Sequence, residues 1–368
     1  KLRAAGHSAE LVSAALTQSR LRGRARAKFG DFAERMLFTE AGLEQASRLR
    51  VAAVHAARIR SHRGGVVDLG CGIGGDALAF AAAGLSVLAV DADEVTAAFA
   101  AVNLAPFPEA RVECENAQDS DIPSDWAVWL DPARRTVDRF GQSQRIFDPA
   151  SYSPSLTWAF ELGARHPIGI KLGPAIDRDA LPQSLGSHPV ETQWVSIDGD
   201  VVECALWSGG LARENVRRSA LVLDDSGAAE LTASDDLPDV ELGELGAFIY
   251  EPNGAVIRAR LMPLVADELG ARLISPSIAY LTGDEPKSSR FASGFRVVDV
   301  FPADERTLRR ELAARDIGQL EIKKRGWDGD PAALRKKLAL QGAASATLFM
   351  TRIAGRHRAI LTERLRSN

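Results

Sequence analysis

Residues 66–80 read Val-Val-Asp-Leu-Gly-Cys-Gly-Ile-Gly-Gly-Asp-Ala-Leu-Ala-Phe, and no other stretch of the 368-residue chain restricts the fold as much. The apolar run 66–69 has the length and β-branched content of a buried strand. It ends in alternating glycines, Gly70, Gly72 and Gly74, and an apolar helical run follows over 76–83. Glycine suits a tight turn and lets a ligand lie against bare main chain. The start of the helix adds unpaired N–H groups and a partial positive charge. Strand, glycine turn and helix in this order open a doubly wound α/β unit with a ligand at its strand ends. Gly70, Gly72 and Gly75 also satisfy G-x-G-x-x-G, so spacing alone does not choose the ligand.

The pattern continues as short apolar runs alternating with helical ones. Strands are expected at 86–90, 111–114, 127–130 and 168–172, with helices at 94–103 and 156–164. A hairpin over 193–197 and 201–207 turns at Asp198-Gly199, a strong turn signal. This predicts a mostly parallel sheet with helices on both faces. Residues 8–63 read as helices interrupted at Gly23, Gly30 and Gly42. Residues 212–290 are less regular, with a hairpin over 219–223 and 228–232 and a helix over 255–269. Residues 291–368 read as a second α/β unit. Its strands fall at 296–301, 319–323, 346–351 and 358–361, and its helices at 305–315 and 331–340. Asp330 and Pro331 supply the N-cap and first position of the last helix. The expected divisions are 1–63, 64–211, 212–290 and 291–368.

Asp68 separates the possible ligands. It lies two residues before the first glycine. A dinucleotide would lay its pyrophosphate over this loop, where a carboxylate repels it. S-adenosylmethionine has no phosphate and carries an ammonium and a sulfonium, which a carboxylate attracts by about a few kcal/mol in a cleft. Asp91 ends the second strand, 21 residues after Gly70, where a carboxylate can accept both ribose hydroxyls of either ligand. Asn116 follows the third strand and can hydrogen-bond an adenine edge. Cys71, Ala92 and Ala117 lie beside these positions and complete the expected cofactor set. The fourth strand ends in Asp131-Pro132-Ala133-Arg134-Arg135. Its carboxylate and rigid carbonyl can orient an amino group for attack, and alignment at roughly 3 Å is much of such catalysis. Arg134 and Arg135 are candidates to hold a phosphate or carboxylate of the substrate. Asp76 and Asp93 are most simply helix caps.

Charge is distributed unevenly. Residues 1–64 carry net +8, residues 290–368 net +8, and residues 65–289 net −20. Two basic ends suggest contact with a polyanion, although solvated helix faces would give the same count. Three widely spaced cysteines, Cys71, Cys114 and Cys204, exclude a disulfide framework and a CxxC metal site. Six histidines show no metal-ligand spacing and read as structural or surface residues, so no metal is expected. No apolar run reaches the roughly 18 residues of a membrane span, and residues 1–21 lack a signal-peptide core. A cytoplasmic location is expected.

On these motifs residues 64–207 resemble a class I S-adenosylmethionine-dependent methyltransferase with a Rossmann-like sheet. Cys71 to Asp76 with Val87 to Asp93 is similar to the trimethylguanosine synthases, and 38–45 to the short segment that precedes their catalytic domain. Tyr250 to Arg258 and Ile322 to Gly326 give the full chain the look of bacterial methyltransferases with a C-terminal THUMP-like domain. That resemblance implies RNA binding by 291–368, with Lys323, Lys324 and Arg325 as candidate phosphate contacts. It also implies methylation of rRNA or tRNA at an exocyclic amino nitrogen of a purine. Amino-group methyltransferases usually carry Asp/Asn/Ser-Pro-Pro-aromatic at the fourth strand, whereas here Ala133 and Arg134 replace the second proline and the aromatic. Phe140, Tyr152 and Trp158 are the nearby rings that can substitute. The departure keeps two alternatives in view: a catalytically degenerate module that binds S-adenosylmethionine or RNA, and a methyltransferase of small molecules or proteins.

Overall fold

The computed structural model describes residues 6–134 and 149–365. The chain forms two compact units. One holds the chain up to Val195 together with Val202–Arg218; the other holds Ser196–Val201 and the chain from Ser219 onward.

The first unit opens with α1 (Ala9–Phe29), capped by Ser8, whose Oγ accepts from the Leu11 N–H. It runs straight through Gly23, where a break was expected. A glycine inside a helix costs only about 1 kcal/mol, and burying Leu21, Ala25 and Phe29 along one face outweighs that. Gly30, at φ +55°, ends the helix. Then come α2 (Glu40–Gln45) and α3 (Leu49–Ile59).

The α/β alternation follows as β1 (Val66–Leu69), α4 (Gly75–Ala82), β2 (Val87–Asp91), α5 (Glu94–Leu104), β3 (Ala110–Cys114) and β4 (Ala127–Leu130). The short strands β5 (Ala133–Arg134) and β6 (Tyr152–Ser153) pair antiparallel. Next are α6 (Leu156–Gly163), β7 (Ile168–Leu172), β8 (Ser184–Leu185), β9 (His188–Ile197) and β10 (Asp200–Ser208). The strand order is β3-β2-β1-β4-β7-β10-β9. Strands β3 to β7 are parallel, and β10 runs antiparallel to β7. All four residues of β1 and of β4 are buried, as sheet-centre strands covered on both faces require. The chain winds outward through β2 and β3, then returns to β4 on the other side of β1. That reversal leaves a crevice at the carboxyl ends of β1 and β4.

The middle of this sheet is aromatic. Gly169 on β7 stands in register with Trp129 of β4 and Trp207 of β10. A Cβ at Gly169 would lie 2.5 Å from the Trp207 ring and 2.6 Å from the Trp129 ring, and both indoles are fully buried. Gly169→Ala is therefore expected to lower stability by about 1–3 kcal/mol. A urea unfolding midpoint equal to that of the wild type would contradict this packing.

The second unit contains β11 (Arg218–Asp224), β12 (Gly227–Ala233), β13 (Phe248–Pro252), α7 (Gly254–Arg258), α8 (Met262–Leu269), β14 (Arg272–Leu273) and β15 (Leu281–Gly283). It continues with β16 (Ala292–Pro302), α9 (Glu305–Ala313), β17 (Ile317–Lys324), α10 (Pro331–Leu338), β18 (Ala344–Ile353) and β19 (Arg356–Arg364). The helix expected over 255–269 is two helices, because Arg260 takes φ +53° and Pro263 starts a new one. Asp330 caps α10 as expected, accepting from Ala332 and Ala333. A seven-stranded sheet runs β14-β15-β13-β16-β19-β18-β17, so strands from 248–283 join those of the C-terminal region. One core gathers Leu308, Leu312, Leu334 and Leu338 of its helices with Leu348 and Leu361 of its strands. Tyr280, Phe295 and Phe349 form a second core. Among the described residues no helix is long and apolar enough to cross a membrane.

Candidate active site

A cleft of about 1030 Å³ opens at the carboxyl ends of β1, β2, β3, β4 and β7 in the first unit. Its floor is the glycine loop. Gly70, Gly72 and Gly74 take φ of +77°, +56° and +82°, which explains the alternation. The Gly70 and Cys71 N–H groups both donate to the Val90 carbonyl at 2.9 Å, pinning the loop to β2. A Cβ on Gly72 would meet nothing within 4 Å, so bare backbone faces the cleft there. Gly74 stands apart from the other predicted cofactor residues. It is the left-handed N-cap of α4, and a Cβ on it would point at Ala100 and Leu104 of α5.

Asp68 is buried in the cleft wall, and its Oδ2 has no hydrogen-bond partner. Burial pushes its carboxyl well above the usual range, and Asp76 and Asp131 push it further. A cationic ligand group relieves both effects, so this orphaned oxygen suits the ammonium of S-adenosylmethionine. Asp91 accepts from the Gly72 N–H at 2.9 Å and the Asp93 N–H at 3.0 Å. Its half-buried carboxylate keeps lone pairs for ribose hydroxyls. Ala92, Asn116 and Ala117 continue the same wall. The Cys71 thiol is raised by burial and by Asp68 and Asp91, so it stays protonated. The residues present therefore fit the cofactor expected from the sequence.

Asp131 and Pro132 line the opposite side. There the structure adds a residue that the sequence analysis missed. Lys171 on β7 places Nζ 2.6 Å from Asp131 Oδ2 and 3.5 Å from the Gln45 carbonyl. A lone lysine inside the apolar run 168–172 was the available signal. Tyr152 also lines the cleft, opposite Arg134 in register, while Trp158 sits on α6 outside it. Only the backbone of Arg134 is described, and Arg135 and Phe140 lie outside the described residues.

Beneath the cleft, His55 of α3 is fully buried between two carboxylates. Its Nδ1 lies 2.8 Å from Asp76 Oδ1 and its Nε2 lies 2.6 Å from Glu203 Oε1. Burial alone would lower the imidazole, but Glu203 and Asp76 overcome it and hold the pKa at about 9. His55 thus fits the structural role expected of the histidines. Asp76 does not act as the expected helix cap. Gly74 takes that position, and Asp76 turns toward α3 to accept from Ser47 at 2.9 Å and bind His55. Asp93 does cap α5, accepting from Thr96 at 2.8 Å.

The basic N-terminal stripe is largely spent inside the unit. Lys28 Nζ donates to the carbonyls of Leu43, Glu44 and Ala46 at 2.7–2.8 Å, closing the end of α2. Arg20 and Arg24 pair with Glu40, and Arg26 with Glu34. In the second unit, Lys323 pairs with Glu251 at 2.7 Å and Glu321 at 3.1 Å. Lys324 donates to the Gly329 carbonyl, and Arg325 lies over the Tyr280 ring. Among the described residues no cluster of His, Cys, Asp and Glu suited to a metal ion is found.

Comparison with known proteins bears on both units. A family model described as THUMP domain-like matches residues 292–364, and one described as a domain of unknown function matches residues 1–25. A crystal structure from Porphyromonas gingivalis W83, described as a candidate methyltransferase, shares the fold with a TM-score of 0.74 at 22% identity. The match covers 98% of this chain and 92% of that one. Two Mycobacterium tuberculosis proteins, from strains CDC 1551 and H37Rv, are each described as an uncharacterized S-adenosylmethionine-dependent methyltransferase. Each is 35% identical over 339 residues, 90% of this chain and 90% of its own. A likeness of that extent, together with a cleft whose orphaned carboxylate and bare glycine suit the cofactor, places this chain in the family of S-adenosylmethionine-dependent methyltransferases, with a THUMP-like region at its C-terminal end.

Proposed function

We propose that the enzyme methylates rRNA or tRNA at an exocyclic amino nitrogen of a purine. The observation that carries this reading is Asp131-Pro132, which lines the same cleft as the predicted cofactor residues. When bound, S-adenosylmethionine supplies an electrophilic methyl on a sulfonium sulfur. Asp131 accepts an N–H of the target amino group and so turns its lone pair toward the methyl. Pro132 restricts the backbone of Asp131 before it. Thr39, the N-cap of α2, and Gly42 and Gln45 of α2 also line the cleft. Arg134 and Arg135 contact a phosphate beside the target. Lys323, Lys324 and Arg325 contact RNA from the THUMP-like region, with 291–368 as the RNA-binding division and 64–211 as the catalytic one. The setting is cytoplasmic, where these RNAs are processed.

The test is tritium transfer from labelled S-adenosylmethionine to total RNA of a strain lacking the gene, followed by mass-spectrometric nucleoside mapping. The expected result is label in one methylated purine that the wild-type strain already carries. RNA affinity should also fall steeply as salt rises. Label confined to protein or small molecules, with no RNA affinity at low salt, would replace this reading with a methyltransferase of small molecules or proteins. Ala133 and Arg134 at the fourth-strand corner favour a degenerate module as the competing reading, and that module transfers nothing to any acceptor.

A further inference from the structure

The cleft is lined by Asp68, Asp76, Asp91, Asp93, Asp131 and Asp177, and among its described lining residues Lys171 is the one cation. A lysine at the buried end of a central strand is costly unless it is paired and used. Its side chain is 13% exposed, that of Asp131 is 36% exposed, and their charged atoms are 2.6 Å apart. Lys171 occupies Asp131 Oδ2 and leaves Oδ1 for the target.

Resting on the function proposed above, we propose that Lys171 is a positioning residue that keeps Asp131 a hydrogen-bond acceptor and so favours targets that present a donor, such as an amino N–H. The neighbours make the need plain. Asp131 is faced by Asp68 of β1, Asp76 of α4 and Glu203 of β10, with His55 of α3 already shared between Asp76 and Glu203. Lys28 of α1 lies near Lys171, and α2 offers only the Gln45 carbonyl. Burial and these carboxylates favour a protonated Asp131, and Lys171 is the cation that opposes them. Burial alone would discharge Lys171 itself, but Asp131, Asp76 and Glu203 reverse that and keep it an ammonium. A protonated Asp131 would present an O–H, which suits a ring nitrogen or carbonyl, and would keep only a neutral carbonyl oxygen as a weaker acceptor for an amino N–H.

The experiment uses the full chain with S-adenosylmethionine bound and two readouts. The first is the pH profile of methyl transfer to RNA. In Lys171→Met and in the more conservative Lys171→Gln, the acidic limb moves up by about 1–3 pH units, so activity lost at neutral pH returns in alkali. Lys171→Arg retains the wild-type limb. Equal loss at every pH, unrelieved by arginine, would mean that Lys171 only supports the fold, and the proposal fails. The second readout needs no RNA: carbon-13 spectra of aspartate-labelled protein, with the Asp131 carboxyl identified by its absence in Asp131→Asn. Wild type should show a carboxylate at pH 7 and Lys171→Gln a carboxylic acid. An unchanged Asp131 titration overturns the role of Lys171 even if RNA is methylated. A shifted titration with no methylated RNA leaves that role standing and removes the proposed substrate.

Discussion

Asp91→Ala raises the dissociation constant for S-adenosylmethionine about 100-fold or more in isothermal titration. Two effects combine. The carboxylate accepts from the Gly72 and Asp93 N–H groups at 2.9 and 3.0 Å, so it shapes the floor of the cleft before any ligand arrives. It is also the group placed to accept the ribose hydroxyls. Hydrogen bonds to a charged group contribute about 1.5–3 kcal/mol each, and losing two of them corresponds to roughly two decades in affinity or more. Asp91→Asn keeps one acceptor oxygen and should lose much less. The control is circular dichroism and a thermal melt, because Asp91→Ala also frees the Gly72 N–H that the carboxylate holds. A dissociation constant within a few-fold of wild type in a folded Asp91→Ala protein would remove Asp91 from the cofactor site and reopen the choice of ligand for this loop.

The position of Asp91 in the cleft was legible in the sequence because it depends on local order: strand, acidic end, helix. The same holds for the glycine loop, the parallel sheet, and the hairpin that closes it at Asp198-Gly199. Each is written within about twenty residues in patterns of period two or 3.6. Lys171 was not legible. Its partner lies 40 residues away just past the end of a neighbouring strand, and only the strand register brings them to 2.6 Å. His55, Asp76 and Glu203 come from two helices and a strand, with 148 residues between His55 and Glu203. Nothing in the local sequence distinguishes such a histidine from a surface one. The basic N-terminal stripe shows the converse. The count of charges was right, but Glu34, Glu40 and the carbonyls at the end of α2 take up much of that charge. A pattern of charge says how much is present, and only packing says what it is spent on. Gly23 teaches the same point about propensity, since the buried face of α1 decides the matter.

The buried histidine predicts how stability depends on pH. The imidazole of His55 is held at about 9 against an ordinary value of 6.5. A raised pKa means that the folded state keeps a proton the unfolded chain has released. The stabilisation is therefore fully present below pH 6.5 and is lost as pH rises through about 9. The change amounts to about 3 kcal/mol over that interval. Asp76 acts in the opposite window: His55, Lys171 and Ser47 outweigh its burial and hold it below its usual value, so its contribution is lost in acid. Urea midpoints measured at pH 6, 7.5 and 9 should fall in that order. Glu203→Ala should cost about 3–5 kcal/mol at pH 6, because it leaves one partner of a buried charged set unmatched. It should also flatten the slope between pH 6.5 and 9, since the histidine then has one carboxylate and a lower pKa. A wild-type midpoint that does not move across this interval would mean that His55 is neutral in the folded protein. The consequence extends to the cleft. Asp76 belongs to both the triad and the cleft lining, and Ser47, two residues beyond α2, binds the same carboxylate. Discharging His55 thus loosens the anchor of the wall that carries Gly42 and Gln45, and affinity for S-adenosylmethionine should decline along with stability as the solution is made alkaline.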